Sequence, residues 1–239
     1  MKPYRDEGSK KEQVCEMFDN IAPTYDTLNH TLSAGIDRWW RRRTVRLVER
    51  GRPQRVLDLA TGTGDLAIAL AHAMPQCRVE GVDLSEGMLR YAREKAQRAG
   101  LDGRLTFACG DAERLDFDDG RFDAVTVAFG VRNFGDLQAG LREMRRVLRS
   151  GGMVAVLELS IPKNPVVRWL YGIYSHSVMP LLGGAVSRDR AAYHYLPESV
   201  EEFPSPEKFL EIMAGAGFAG CKYRNLTFGT ARIYTATNP

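Results

Sequence analysis

The residues best equipped for chemistry fall in one run, VLDLATGTGDLAIAL (56–70), which holds Asp58, Gly62, Thr63, Gly64 and Asp65. The mostly apolar VLDLA reads as a buried parallel strand, and an Ala/Leu-rich helix starts directly after the glycine turn. Glycines let the backbone turn sharply and leave no Cβ between main chain and ligand. The helix behind them presents unpaired N–H groups. A strand, a glycine turn and a helix in this order make a site for a nucleotide-type ligand at the carboxyl end of a strand.

Two cofactor classes compete for it. Gly62-Thr-Gly64-Asp-Leu-Ala67 fits the dinucleotide pattern GxGxxG/A, and Asp83 lies about 20 residues on, where an NAD enzyme keeps its ribose acid. Charge separates them. A pyrophosphate prefers an electropositive turn, yet Asp58 stands inside this one and Asp65 just after it, and Asp111 follows in Cys109-Gly110-Asp111-Ala112. S-adenosylmethionine has no phosphates, and its ammonium and sulfonium are attracted by carboxylates. Asp83 can accept from both ribose hydroxyls, and Asp111 falls where the adenine edge would lie. S-adenosylmethionine is therefore favoured over NAD, with Asp58, Gly62, Thr63, Gly64, Asp83, Asp111 and Ala112 as its expected contacts.

The elements around these residues predict an α/β fold. Strands RVEGVDL, RLTFACG, RFDAVTVAFG and MVAVLELS alternate with helices over 86–99 and 137–148, which implies a parallel sheet covered on both faces. The end differs: a helix over 206–216 precedes CKYRNLTF and ARIYTATN, which flank Gly229-Thr230 as a hairpin. The prediction is a seven-stranded sheet, parallel except for its last strand. Two regions lie outside this core, 14–50 and 162–204. A long connection in a compact domain is often a lid or a substrate wall.

Composition sets further limits. The 239 residues, 44% hydrophobic and 26% charged, are ordinary for one soluble domain with additions. A net charge of +3 does not suggest a nucleic-acid binder. Cys15, Cys77, Cys109 and Cys221 are scattered, with no metal-ligand spacing, so neither a disulfide framework nor a metal site is expected. The polar start MKPYRDEGSKKEQ is not a signal peptide, and the apolar stretch 169–186 is too interrupted to span a membrane. A cytoplasmic chain is expected.

Several blocks are more specific. NIAPTYDTLNHTLSAGIDRWWRR (20–42), LATGTGDLA (59–67), FGVRN (129–133), RVLRSGGMVAVLELS (146–160) and YHYLPESVEEFPSPEKF (193–209) resemble the menaquinone/ubiquinone biosynthesis C-methyltransferases over nearly the whole chain. The resemblance implies a Rossmann-like class I methyltransferase fold over 1–239, with cap helices in 14–50, a cofactor core in 51–161, a lid insertion in 162–204 and a final helix and hairpin in 205–239. It implies S-adenosylmethionine-dependent methylation of a ring carbon on a polyprenylated quinol. Naphthoquinol and benzoquinol substrates share this family; the compact chain favours demethylmenaquinol, with a polyprenyl methoxybenzoquinol, or both, as the alternative. The family's cofactor contacts map onto Thr63, Asp83, Asp111 and Ala112. A further contact, a serine in some members, falls on Ala128, which can offer only its backbone. Ala60 stands where many methyltransferases have glycine and is expected to alter the turn slightly.

The reaction itself dictates the remaining candidates. A quinol carbon becomes nucleophilic when a neighbouring hydroxyl loses its proton, and attack on a sulfonium methyl cancels charge, so a dry, well-aligned pocket favours it. Arg132 and Asn133, after the strand ending at Phe129, are placed to stabilise the phenolate and hold a quinol oxygen. His194 and Tyr25 are candidates for proton transfer, with Asp26 beside Tyr25 as a possible helix cap. Trp39-Trp40, the arginines Arg38, Arg41, Arg42, Arg43 and Arg46, and the segment 169–182 read either as packing and a solvated face or as an amphipathic rim that touches a membrane surface. Oligomeric state is not legible. An RNA methyltransferase or an NAD-linked reductase are the more distant readings.

Overall fold

The computed structural model describes residues 2–4, 7–175 and 190–239, the side chains of Arg190, Tyr193 and His194 excepted. Helices α1 (Lys10–Ile21), α2 (Tyr25–Leu32) and α3 (Ile36–Glu49) precede the sheet. Then follow β1 (Arg55–Leu59), α4 (Asp65–Ala73), β2 (Arg78–Asp83), α5 (Glu86–Arg98), β3 (Leu105–Cys109), β4 (Phe122–Ala128), α6 (Leu137–Val147) and β5 (Leu148–Leu159). Helices α7 (Pro165–Ile173), α8 (Arg190–Glu202) and α9 (Pro206–Gly215) lead to β6 (Ala219–Leu226) and β7 (Ala231–Thr237).

The strands form one sheet in the order β3-β2-β1-β4-β5-β7-β6. All pairs among β1 to β5 are parallel, and β7 alone runs against its neighbours β5 and β6. The predicted direction of every strand is therefore correct. Val56, Leu57 and Leu59 of β1 have no exposed surface, as expected for a strand covered on both faces. One face packs Phe122, Leu141, Met144, Phe209 and Tyr234 under α6 and α9. The other packs Val45, Val48, Leu66, Leu70 and Val79 under α3 and α4. The strand order reverses between β1 and β4, and it is at such a switch point that an open sheet binds its ligand.

The N-terminal helices have their own small core of Val14, Met17, Ile21, Leu28 and Leu32, closed against Met88 of α5. The described part of the insertion 162–204 consists mostly of α7 and α8. Among the described residues no helix is long and apolar enough to cross a membrane.

Candidate active site

The glycine turn takes the shape its composition requires. Gly62 and Gly64 adopt φ of 56° and 81°. A Cβ on Gly62 would meet nothing within 4 Å, because that side faces the cleft, whereas one on Gly64 would press on Phe107 and Ala92 at 3.0–3.1 Å. Gly62 thus leaves room for a ligand, and Gly64 lets α4 sit close to α5 and β3. Ala60 also takes a left-handed φ of 48°, and so does Phe129, at 60°, just beyond the end of the neighbouring strand β4. A Cβ on Gly130 would lie 2.5 Å from that of Ala60, so the two strand ends are pressed together at the switch point. Strained non-glycine residues of this kind collect at functional sites.

A cleft enclosing about 730 Å³, its open mouth included, lies over these strand ends. Gly62, Asp83, Asp111, Ala112 and Ala128 line it, as expected of the cofactor site, and so does Asn133. Asp83 is positioned by two backbone donors, Gly62 N at 2.8 Å to Oδ2 and Ser85 N at 2.9 Å to Oδ1. Burial pushes its pKa up, while those N–H bonds hold it down. Helix α1 closes the far side. Lys11 Nζ bonds Asp111 at 2.6 Å and Glu113 at 2.8 Å, while Asp19 accepts from Ser85 Oγ and Gly87 N, at the start of α5.

Three expected cofactor contacts are placed differently. Asp58 does not line the cleft. It is 1% exposed, and both its oxygens are taken by hydroxyls, Thr61 Oγ1 at 2.7 Å and Thr126 Oγ1 at 2.6 Å. Its burial raises the carboxyl pKa to about 6, against the pull of those two bonds. It fixes the turn from behind. Thr63 donates instead to Asp26 of α2 at 2.5 Å and accepts from Lys95, and Gly64 serves packing. Asp26 is accordingly no helix cap. With Lys95 and Asp65 it belongs to a polar network that continues through His30, Asp37 and Arg41 and ties the cap helices to the turn. His30, Asp37 and Asp65 offer ligand atoms within 4.8 Å of one another, but Arg41 and Lys95 already pair with these carboxylates, so the group is an ion network.

A second cavity of about 930 Å³ shares Tyr25 and Phe129 with the first. Its wall is largely aromatic and apolar, from Leu32, Ile36, Trp40, Tyr171 and Tyr174, with Arg41 and Arg132 as its cations. Arg132 is no surface group: its side chain is 6% exposed and paired at 2.6 Å with Glu158, which has no exposed surface. Its Nη1 also donates to Phe129 O at 2.5 Å and its Nε to Ser199 Oγ at 3.2 Å. Burial opposes the positive charge, but Glu158, Tyr25 and Tyr195 together outweigh it and the pKa is raised. Nη2 has no acceptor among the described residues.

Tyr25 stands partly buried between the cavities, and desolvation raises its pKa despite the nearby Arg41 and Arg132. Asn133 accepts from Tyr195 OH at 3.1 Å. His194 stands on α8, but its side chain lies outside the described residues.

The structure thus brings together Arg132, Asn133 and Tyr25 beside Asp83, Asp111 and the glycine turn. Sequence reasoning missed Glu158, Lys11, Asp19 and the network role of Asp26. Only Glu158 left a trace, as a lone acid in the buried strand MVAVLELS. On the Trp39-Trp40 helix the packing alternative holds at Trp40, and Arg41 leaves the expected solvated face. Trp40 and Arg41 face inward, Trp40 donating to Thr227 Oγ1 at 2.8 Å and Arg41 lying 5.2 Å over Phe129, so they are not part of an outer rim. The helical spacing of Trp40, Thr44, Val45 and Val48, all buried, carried that information.

The donor set fits S-adenosylmethionine. The cleft offers carboxylates at Asp83 and Asp111, an open approach at Gly62 and an apolar edge at Met88 and Ala112. Its cation, Lys11, is already neutralised by two acids, which leaves little to hold a pyrophosphate.

Comparison with known proteins agrees. The family model of the ubiE/COQ5 methyltransferase family matches residues 6–238. The chain is 48% identical over 237 residues to a demethylmenaquinone methyltransferase of Bacteroides fragilis, covering 99% of this chain and 97% of the relative. It is 49% identical over 223 residues to that of Thermus thermophilus, covering 93% and 100%. It is 45% identical to a ubiquinone/menaquinone biosynthesis C-methyltransferase UbiE of Geobacter sulfurreducens, covering 95% and 88%. Among solved structures, the [4+2]-cyclase SpnF superposes with a TM-score of 0.69 at 19% identity, covering 97% of each chain. A possible histamine N-methyltransferase of Thermotoga maritima gives 0.65 at 18%, covering 94% and 99%. Likeness at that identity shows the fold alone.

Proposed function

The chain belongs to the ubiE/COQ5 methyltransferase family and is an S-adenosylmethionine-dependent methyltransferase, and we propose that it methylates a ring carbon of a polyprenylated quinol, in the first place demethylmenaquinol. A polyprenyl benzoquinol is the alternative substrate, as the name of the Geobacter relative suggests. One observation carries the reading: the acid-lined cleft and the aromatic cavity share Tyr25 and Phe129, so donor and acceptor meet at a common wall.

S-adenosylmethionine, when bound, supplies an electrophilic methyl group. Asp83 and Asp111 would hold its ribose and adenine, with Gly62, Ala112 and the backbone at Ala128 completing the contact surface. The rest is the work of this chain. Arg132, held cationic by Glu158, turns a fixed positive charge toward the aromatic cavity, where a quinol oxygen becomes a phenolate. Asn133 and Tyr25 orient the ring, and the apolar walls exclude water, which strengthens the electrostatic stabilisation. Arginine does not give up its proton near neutral pH, and Tyr25 with its raised pKa is already protonated. Neither is the acceptor of the quinol proton. We place Tyr171, Tyr174 and Leu196 of the insertion as a wall of the substrate cavity, and the protein on the cytoplasmic face of the membrane, where a polyprenyl tail resides.

A labelled-methyl assay tests this directly. Short-tailed demethylmenaquinol should accept label, the benzoquinol at a lower kcat/KM, and tRNA and simple phenols not at all. Labelled tRNA with unlabelled quinols would overturn the proposal.

A further inference from the structure

The rim of the aromatic cavity carries two features that methyl transfer does not use. The first is apolar. Helix α7 has no buried residue, and Val166, Trp169, Leu170 and Ile173, at i, i+3, i+4 and i+7, are 67%, 65%, 54% and 45% exposed. Tyr171 of the same helix lines the cavity. Phe228, 83% exposed, lies beside it on the turn between β6 and β7, between the cavity residues Thr227 and Thr230. That turn is fastened to the chain leading into α7, since Ser160 N donates to Thr230 O at 3.0 Å and Ser160 Oγ to Gly229 O at 2.8 Å.

The second feature is basic. Two residues before Phe228, Leu226 enters a groove between α3 and β6 lined by Trp39, Arg43, Arg46, Arg50 and Arg224, with no carboxylate in its wall. Arg43 lies 5.1 Å over the ring of Trp39. None of these four arginines has a carboxylate partner among the described residues, whereas Arg41, on the inner side of α3, pairs with Asp37. An outward apolar stripe and an exposed aromatic therefore adjoin the substrate cavity through Tyr171, Thr227 and Thr230, and an unpaired basic groove runs on from Trp39 and Leu226 beside them.

We propose that this rim docks on an anionic phospholipid bilayer, with the Arg43–Arg46–Arg50–Arg224 groove holding a lipid phosphodiester while Phe228, Trp169 and Leu170 enter the acyl region. The occupant follows from charge and shape together. A second copy of the chain meeting the rim isologously would bring like-charged grooves toward each other. A nucleic acid would match the arginines but leave the aliphatic stripe of α7 in water. A bilayer surface satisfies both, with negative headgroups outside and hydrocarbon just beneath. The cavity would then open into the layer that holds a polyprenyl tail, so the proposal rests on the quinol reading.

Co-sedimentation of the full chain with vesicles tests it. The wild type should bind phosphatidylglycerol-rich vesicles at least about tenfold better than pure phosphatidylcholine at low salt and lose that preference at high salt. Arg46→Glu with Arg224→Glu should abolish the preference. Phe228→Asn with Trp169→Gln should weaken binding to both vesicle types. All variants should methylate a soluble short-tailed quinol at the wild-type rate and slow only on a long-tailed quinol embedded in vesicles. Vesicle binding indifferent to both double variants would overturn the proposal. So would displacement from vesicles by inorganic phosphate at matched ionic strength, which marks a free-phosphate site, or by a single-stranded oligonucleotide, which marks a nucleic-acid surface. A wild type inactive on the soluble quinol would remove the quinol reading, while the sedimentation results would still judge the docking surface on their own.

Discussion

Arg132 Nη1 lies 2.6 Å from Glu158 Oε1, and the pair bridges the turn after β4 to the last residues of β5. Glu158 also accepts from the Arg132 and Leu159 backbone N–H groups, so one buried carboxylate fixes both the guanidinium and the chain that carries it. A cation held by its neighbour and by the Phe129 carbonyl needs no rearrangement when negative charge develops on a substrate oxygen. That is the form of electrostatic stabilisation that contributes most to rate.

Removing the charge should therefore cost turnover more than binding. Arg132→Ala alone strands a buried carboxylate and risks unfolding, at a cost of about 3–5 kcal/mol. The informative variant is Arg132→Met with Glu158→Gln. It should stay folded, lower kcat by about a hundredfold or more and leave the cofactor Kd little changed. A wild-type kcat in the folded double variant would exclude the catalytic role of Arg132. Glu158→Gln alone, as a positioning change, should lower kcat less and leave KM for the quinol near wild type.

Asp83 is the anchor of the cofactor cleft. Asp83→Ala should weaken S-adenosylmethionine binding by about 2 kcal/mol, roughly thirtyfold, as titration calorimetry would read it. Because Gly62 N and Ser85 N also lean on this carboxylate, Asp83→Asn serves as the control that keeps an acceptor in place. If both folded variants bind the cofactor as the wild type does, the ribose is not held at Asp83.

Asp58 gives a pH signature of opposite sign to an ordinary ion-paired acid. Its folded pKa, about 6, lies above its usual value of 3.8, so the folded state binds the extra proton between them. Stability from this group is present below about pH 4 and is lost as pH rises to about 6, by on the order of 2–3 kcal/mol. Asp58→Asn, which keeps the contacts with Thr61 and Thr126, should remove that slope. Denaturant melts from pH 4 to 8 should show the variant gaining on the wild type up to about pH 6 and holding a constant lead above it. A difference that is flat over the whole range would mean Asp58 is not buried as an acid.

The sheet was legible because its signals are local. Most strands are short runs rich in apolar residues, and Gly62, Asp83 and Asp111 stand at or just beyond the carboxyl ends of theirs. What escaped depends on docking between distant segments. Nothing near Lys11 announces Asp111, a hundred residues away, and Asp26 meets Thr63 and Lys95 only because α2 packs on the turn. Asp58 misled for a related reason. An acid within a cofactor motif suggests a ligand contact, yet its direction along β1 turns it into the protein, toward Thr126 of the next strand. For Trp40 the packing alternative holds, while Arg41, grouped with solvated or membrane-facing arginines, faces inward because the helical period outweighs local charge density.

The quinol must lose a proton before its ring carbon can attack. Arg132 stays charged, and burial raises the pKa of Tyr25, so neither accepts it at neutral pH. Asp37 also lines the aromatic cavity, but against the effect of burial its ties to Ser33, Arg41 and His30 hold its pKa down. The candidates are therefore His194, on the helix whose Leu196 lines the cavity, and a water within it. The two differ in their pH–rate profiles. A histidine base titrates near its usual value of about 6.5, so wild-type kcat should fall below that pH, and His194→Gln should lose both this limb and about a hundredfold or more in rate. Tyr25→Phe should keep the limb while raising KM for the quinol, because it loses an orienting hydroxyl and not the base. A wild-type profile with no acid limb, or a limb and rate that both survive in His194→Gln, would exclude His194 as the base.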